Sequence, residues 1–139
     1  MGGYLAALYA SRHPEVDRMV LLAPAFRFEE RWPGLLGPQH FLEWRRSGWL
    51  EVHHYATGVP SRVHFGLFED AGRWPGTPSF VQPTLAFHGL HDNVVPISCS
   101  RDVASAHPSF QLVELDSDHE LTGPLDAIVA AALPFLTAP

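Results

Sequence analysis

The sequence has a single cysteine, Cys99, and no lysine. One cysteine excludes an intramolecular disulfide, so nothing in the chain demands an oxidising compartment, and the cytoplasm is the default location. The nine basic residues are all arginine, form no run, and are outnumbered by fifteen acidic ones, for a formal charge of -6. That excludes the electrostatic footprint of a nucleic-acid-binding surface. No segment is long and apolar enough to span a bilayer. The apolar stretch Tyr4 to Ala10 has no positive segment before it, Arg12 falling after it, which argues against a secretory signal. Ala6 stands where an N-myristoylation pattern has Ser or Thr. There is no internal repeat and no low-complexity tract.

What is present is enough for one domain. A chain of 139 residues with 46% hydrophobic content can bury a core. Gly2 to His13 reads as a helix that is apolar nearly all round, as one packed on the middle of a sheet would be, with Pro14 helping to end it. Arg18 to Ala23 is a continuous apolar strand closing at Pro24. After an insertion come a strand at Thr84 to Phe87, a helix at Ile97 to His107, a strand at Phe110 to Asp116 and a helix at Thr122 to Leu136, in which Pro134 kinks or terminates the last turns. This alternation of β and α predicts an α/β fold with a mostly parallel sheet and flanking helices.

Between Ala25 and Phe80 the alternation breaks. The stretch carries eleven of the sixteen aromatic residues, including all four tryptophans. A loop this long without structure of its own would be unusual in a compact domain. It is expected to form a cap over the site, with a short helix near Gln39 to Arg46 and a hairpin around Trp49 to Phe68.

Three segments carry chemistry. Pro83-Thr-Leu-Ala-Phe-His-Gly-Leu-His-Asp-Asn-Val-Val-Pro96 reads as a buried strand that delivers an acid, Asp92, to its C-terminal tip. Ser117-Asp118-His119-Glu120-Leu121 places a histidine in the loop after the next strand. At the start, Met1-Gly2-Gly3-Tyr4 leads straight into the apolar helix, and Met1 and Gly2 fit the last two places of Gly-x-Ser-x-Gly, the sharp strand-to-helix turn that exposes a nucleophilic serine. Acid then histidine is the order a triad needs after an N-terminal serine. Asp92 has a simpler reading as a helix cap or Asx turn, and His119 as a loop histidine.

On these residues the chain resembles the α/β-hydrolases, particularly the small serine esterase and acyl-hydrolase branch, over nearly its whole length but only over the C-terminal part of that fold. The resemblance implies one partial α/β-hydrolase domain over 1–139, with 25–80 as an aromatic-rich cap insertion. It implies a triad acid at Asp92, a triad base at His119 and an oxyanion-hole amide at Met1. The nucleophile is expected immediately before Met1, so the chain as written is expected to be inactive. The implied activity is hydrolysis of an ester or related acyl bond in a small-molecule substrate, with no cofactor. An imidazole removes the serine proton, a buried carboxylate orients the imidazole, and backbone N–H groups hold the oxyanion. The alternatives are a non-catalytic remnant whose aromatic cap holds a small apolar ligand, and peptidase, thioesterase or lipase chemistry on the same fold.

His88-Gly-Leu-His91-Asp92 offers zinc-type ligands, but the spacing is not that of the helical zincin pattern and a strand-to-turn context splays the imidazoles, so no metal is expected. His53 and His54 point to opposite faces if extended. Cys99 near a helix start is read as a buried structural thiol in preference to a substitute nucleophile. Ser98, Ser100 and Ser117 are read as ordinary helix-start and loop serines.

Overall fold

The computed structural model describes residues 1–54 and 58–138, with His54 described through its backbone alone. The expected orientation of the His54 side chain therefore lies outside the described residues. The chain divides into two compact units, one made of 1–26 with 77 onward, the other of Arg27–Gly76.

The first unit is built on a three-stranded parallel sheet in the order β1-β4-β5, with β1 at Met19–Leu22, β4 at Thr84–Gly89 and β5 at Phe110–Leu115. All six residues of β4 are buried, as befits a strand paired on both sides and covered on both faces. Helices α1 (Gly2–Ala10) and α4 (Ser98–Ala106) share one core with the sheet, in which Tyr4, Ala7 and Ala10 pack with Leu21, Ala86, Cys99, Val103 and Phe110. Helix α5 (Leu125–Thr137) contributes Ile128 to a second core with Leu85, Phe87 and Leu121. Each large apolar side chain buried in these cores stabilises the fold by roughly 1.5–3 kcal/mol.

The boundaries differ from the sequence reading for local reasons. Strand β1 stops at Leu22 because Ala23 adopts a left-handed φ of 40°, although its N–H still reaches Phe87 O at 2.9 Å. Arg18, expected to begin the strand, instead sends Nη1 to the carbonyl of Phe135 at 3.0 Å. Helix α1 ends three residues short of His13, where the Ser11 hydroxyl bonds back to Leu8 O at 2.7 Å. It buries one stripe only, leaving Leu5 and Tyr9 exposed. Helix α5 starts at Leu125, after Pro124 at its N-cap, and runs through Pro134 to Thr137 without terminating there. Pro134 has no N–H to give to the carbonyl four residues earlier, so the helix forgoes one bond there and continues.

In the second unit, α2 (Phe28–Ser47) is interrupted at Gly37, whose φ of 75° and ψ of 160° break the helix between Pro33 and Pro38. The helix expected at Gln39 to Arg46 is the second half of α2. The hairpin consists of β2 (Trp49–His54) and β3 (Val59–His64), antiparallel with Trp49 opposite His64, followed by α3 (Gly66–Ala71). Trp44 is 1% exposed, gives its indole N–H to Val63 O at 3.0 Å, and packs edge-on to Phe65 with ring centroids 5.1 Å apart. Phe41 packs on Phe68 and Phe65 in the same cluster, so the aromatics of this stretch form a core of their own. Among the described residues no helix is long and apolar enough to cross a membrane.

Candidate active site

Because the three strands are parallel, their C-terminal ends emerge on one edge of the sheet, and the loops after β4 and β5 meet there. The β4–α4 loop begins where Gly89 lies against the backbone carbonyls of Ser117 and Asp118, an approach that leaves no room for a side chain. Leu90 N–H bonds Leu115 O at 2.8 Å and His91 N–H bonds Ser117 O at 3.0 Å, tying the two loops together. His91 Nε2 adds an exposed contact to Asp116 Oδ1 at 2.9 Å.

This junction brings Asp92 and His119 together. His119 Nδ1 lies 2.8 Å from Asp92 Oδ2. The Asp92 side chain is fully buried, while that of His119 is 29% exposed. The other oxygen, Asp92 Oδ1, accepts from Val94 N at 2.8 Å and Val95 N at 2.7 Å. One oxygen of Asp92 therefore closes an Asx-type turn while the other meets the histidine. An ionised carboxylate only accepts, so Nδ1 of His119 carries the proton. No described residue hydrogen-bonds the remaining ring nitrogen, Nε2.

Burial alone would push the Asp92 carboxyl up. The hydrogen bonds from His88, Val95, His119 and Val94 outweigh it and hold the group well below the usual carboxylate range. The acid is thus ionised wherever the protein is folded under ordinary conditions, which suits it to orient an imidazole and to stabilise an imidazolium.

Leu121 is 3% exposed and sits in the α5-side core with a left-handed φ of 55°, an unfavourable conformation for a leucine that burial of its side chain offsets. At the other strand, Gly3 in the first turn of α1 lies against the C-terminal end of β1: a β-carbon there would come within 3.0 Å of Pro24 Cβ. The N-terminus of α1, capped by Met1, therefore stands on the same sheet edge as Asp92 and His119. Gly2 has open space around it.

The other candidates are placed elsewhere. Cys99 is a free thiol buried in the α1/α4 core, 2% exposed, away from the loops. Ser98 is exposed at the start of α4. Ser100, read from the sequence as an ordinary helix-start serine, and His88, weighed there only as a metal ligand, meet each other in the interior. His88 is fully buried; its Nδ1 lies 2.7 Å from Ser100 Oγ and its Nε2 2.8 Å from Val95 O and 3.2 Å from Asp92 Oδ2. The signal was present as a histidine inside an otherwise apolar central strand, a position where a polar ring needs buried partners. His88 and His91 take different partners, as a strand-to-turn context requires, and no described cluster of three or more His, Cys, Asp or Glu residues has a metal-binding arrangement.

A sequence model of UPF0227, an uncharacterised protein family, matches residues 1–136. The chain belongs to this family. Its fold is shared with a presumed hydrolase from Agrobacterium vitis S4, at 22% identity and a TM-score of 0.80, covering 98% of this chain and 58% of that one. It is also shared with α/β hydrolase domain-containing protein 10 from mouse, at 18% identity and a TM-score of 0.77, covering 96% and 58% of the respective chains. Est1E from Butyrivibrio proteoclasticus matches at 20% identity with a TM-score of 0.73, covering 96% and 56%. The fold is that of the α/β-hydrolases, and the chain spans less than two thirds of the length of these structures. No curated protein sequence gives a significant match.

Proposed function

We propose that this chain supplies the acid and base of a serine hydrolase acting on an ester or related acyl bond, with Asp92 as the orienting acid and His119 as the base. The observation that carries the reading is the 2.8 Å contact between Asp92 Oδ2 and His119 Nδ1, with the acid buried, the imidazole partly exposed and its Nε2 unbonded by any described residue. Neutral His119 takes the hydroxyl proton of a serine through Nε2 as the serine oxygen attacks the acyl carbon. The same proton then passes to the departing alkoxide, and a water repeats the sequence to release the acid. Asp92 stays ionised throughout and stabilises the imidazolium.

In this reading the serine precedes Met1, and the Met1 N–H is one oxyanion donor. The packing of Gly3 on Pro24, which sets the start of α1 on the same sheet edge as His119, supports that placement. In this reading the aromatic-rich Arg27–Gly76 unit, the bulk of the expected 25–80 insertion, selects the substrate, a small-molecule acyl compound. A second reading, retention of a small ligand without turnover, draws on an open depression of about 340 Å³ within the Arg27–Gly76 unit, where Phe41, Phe65 and Phe68 stand beside Glu29, Arg45, Glu69 and Arg73.

A fluorophosphonate probe separates the two. The 139 residues as written should not label, and the protein extended upstream in frame through a Gly-x-Ser should label on that serine. Absence of labelling in the extended protein, with saturable uptake of an apolar dye abolished by Phe68→Ala, would favour ligand binding over hydrolysis.

A further inference from the structure

The hydrogen-bond inventory of Asp92 contains one member that an acid–base pair does not by itself require. Oδ1 is satisfied by two backbone N–H groups and Oδ2 by His119, yet the imidazole of His88 also stands 3.2 Å from Oδ2. The same Nε2 lies 2.8 Å from Val95 O. A carbonyl and a carboxylate can only accept, so Nε2 carries a proton and shares it between them. At Nδ1, the Ser100 hydroxyl, 2.7 Å away and itself buried, donates to the ring and fixes that tautomer. Val95 serves both sides, accepting from His88 and donating its N–H to Asp92 Oδ1.

We infer that His88 is a positioning residue: with Ser100 it holds the Asp92 carboxylate in the plane that meets His119. The inference rests on the acid–base reading of Asp92 and His119 given above. Turning about χ2 moves both oxygens of the planar carboxylate together, so the two backbone donors on Oδ1 restrain it from one side only. A buried donor on Oδ2 restrains it from the other, so the direction from which Oδ2 accepts from His119 is held from inside the protein as well as by the exposed loop. Such preorganisation matters because small displacements of a catalytic group reduce rate steeply. His88 touches no reacting atom and takes no proton in the reaction.

Other charges near the network are already committed. Glu114, opposite His88 in the β4–β5 register, is paired with Arg101 at 2.7 Å. In the loops, His91 is paired with Asp116, and the Asp118 carboxylate accepts from Glu120 N. Neither His88 nor Asp92 depends on them for its hydrogen bonds.

The test compares two amides of different reach in the purified protein. The glutamine of His88→Gln places a donor near the Nε2 position; the shorter asparagine of His88→Asn does not. Carboxyl carbon NMR should show Asp92 ionised to well below the usual carboxylate range in the native protein and in His88→Gln, and titrating higher by about one unit or more in His88→Asn, the loss of one hydrogen bond to a charged group. In the serine-bearing protein, kcat for a short acyl ester should fall about 100-fold in His88→Asn with KM unchanged, and recover in His88→Gln. Equal Asp92 titrations in the two variants would overturn the inference. Should both variants fail to fold, long-range proton–nitrogen spectra of the native protein decide: His88 should carry a proton on Nε2, and a proton on Nδ1 with Nε2 bare would overturn the inference. The NMR arms need no turnover, so an inactive protein with the expected titrations sinks the hydrolase reading and leaves the positioning of Asp92 intact.

Discussion

Gly89 and Ser117 are pressed together at the end of the sheet: a β-carbon on Gly89 would overlap the carbonyl oxygens of Ser117 and of Asp118 beside it. The contact is backbone against backbone, so no side-chain rotation relieves it. It is what lets the loop carrying His119 come down onto the loop carrying Asp92.

Gly89→Ala should therefore push the His119 loop away from the sheet. Overpacking at a close contact costs about 1–3 kcal/mol, and the 2.8 Å bond between His119 and Asp92 should lengthen with it. Denaturant melts should show the loss of stability, and any esterase activity should fall more than stability alone explains. An unchanged midpoint together with unchanged activity would mean the loop approach is not needed.

The buried carboxylate sets a pH dependence. Because Asp92 titrates lower in the folded protein than in the unfolded chain, its contribution to stability is fully present above the ordinary aspartate value and is lost as pH falls through the folded value. Asp92→Asn should therefore be less stable than the native protein at pH 7, with the gap closing in strongly acidic solution below about pH 4. Urea midpoints at several pH values check this; a gap that widens on acidification would contradict the assigned direction.

Strand β1 pairs with β4 on one edge, and no described strand pairs with its other edge. Leu22 at its end is 49% exposed. An open parallel edge with apolar side chains is an association hazard. The 139-residue chain should bind a hydrophobic dye and form oligomers, measured by fluorescence and by light scattering. A monodisperse monomer that binds no dye would refute this.

The α/β alternation was legible because the strands of a covered parallel sheet read as short apolar runs, as Met19–Leu22 does and as residues 85–87 do within β4. Asp92 and His119 were legible because each follows a strand in the order a triad uses. The helix ends were not, since Ser11 and Pro124 fix them through local hydrogen bonding and a proline restraint that periodicity does not register. Helix α2 was half hidden by Pro33, Gly37 and Pro38, which read as loop residues yet fall within and around one kink. His88 was hidden differently. Its chemistry suggested a metal ligand, and only its burial against Val95 O, Asp92 and Ser100 reveals a hydrogen-bonding role.

The most direct test is turnover of a short acyl ester by a protein extended upstream in frame through a Gly-x-Ser, with and without His119→Ala. The extended protein should hydrolyse the ester, and His119→Ala should lower kcat on the order of a million-fold, since members of a triad act as a unit. Unchanged turnover in His119→Ala would show that the histidine 2.8 Å from Asp92 is not the base.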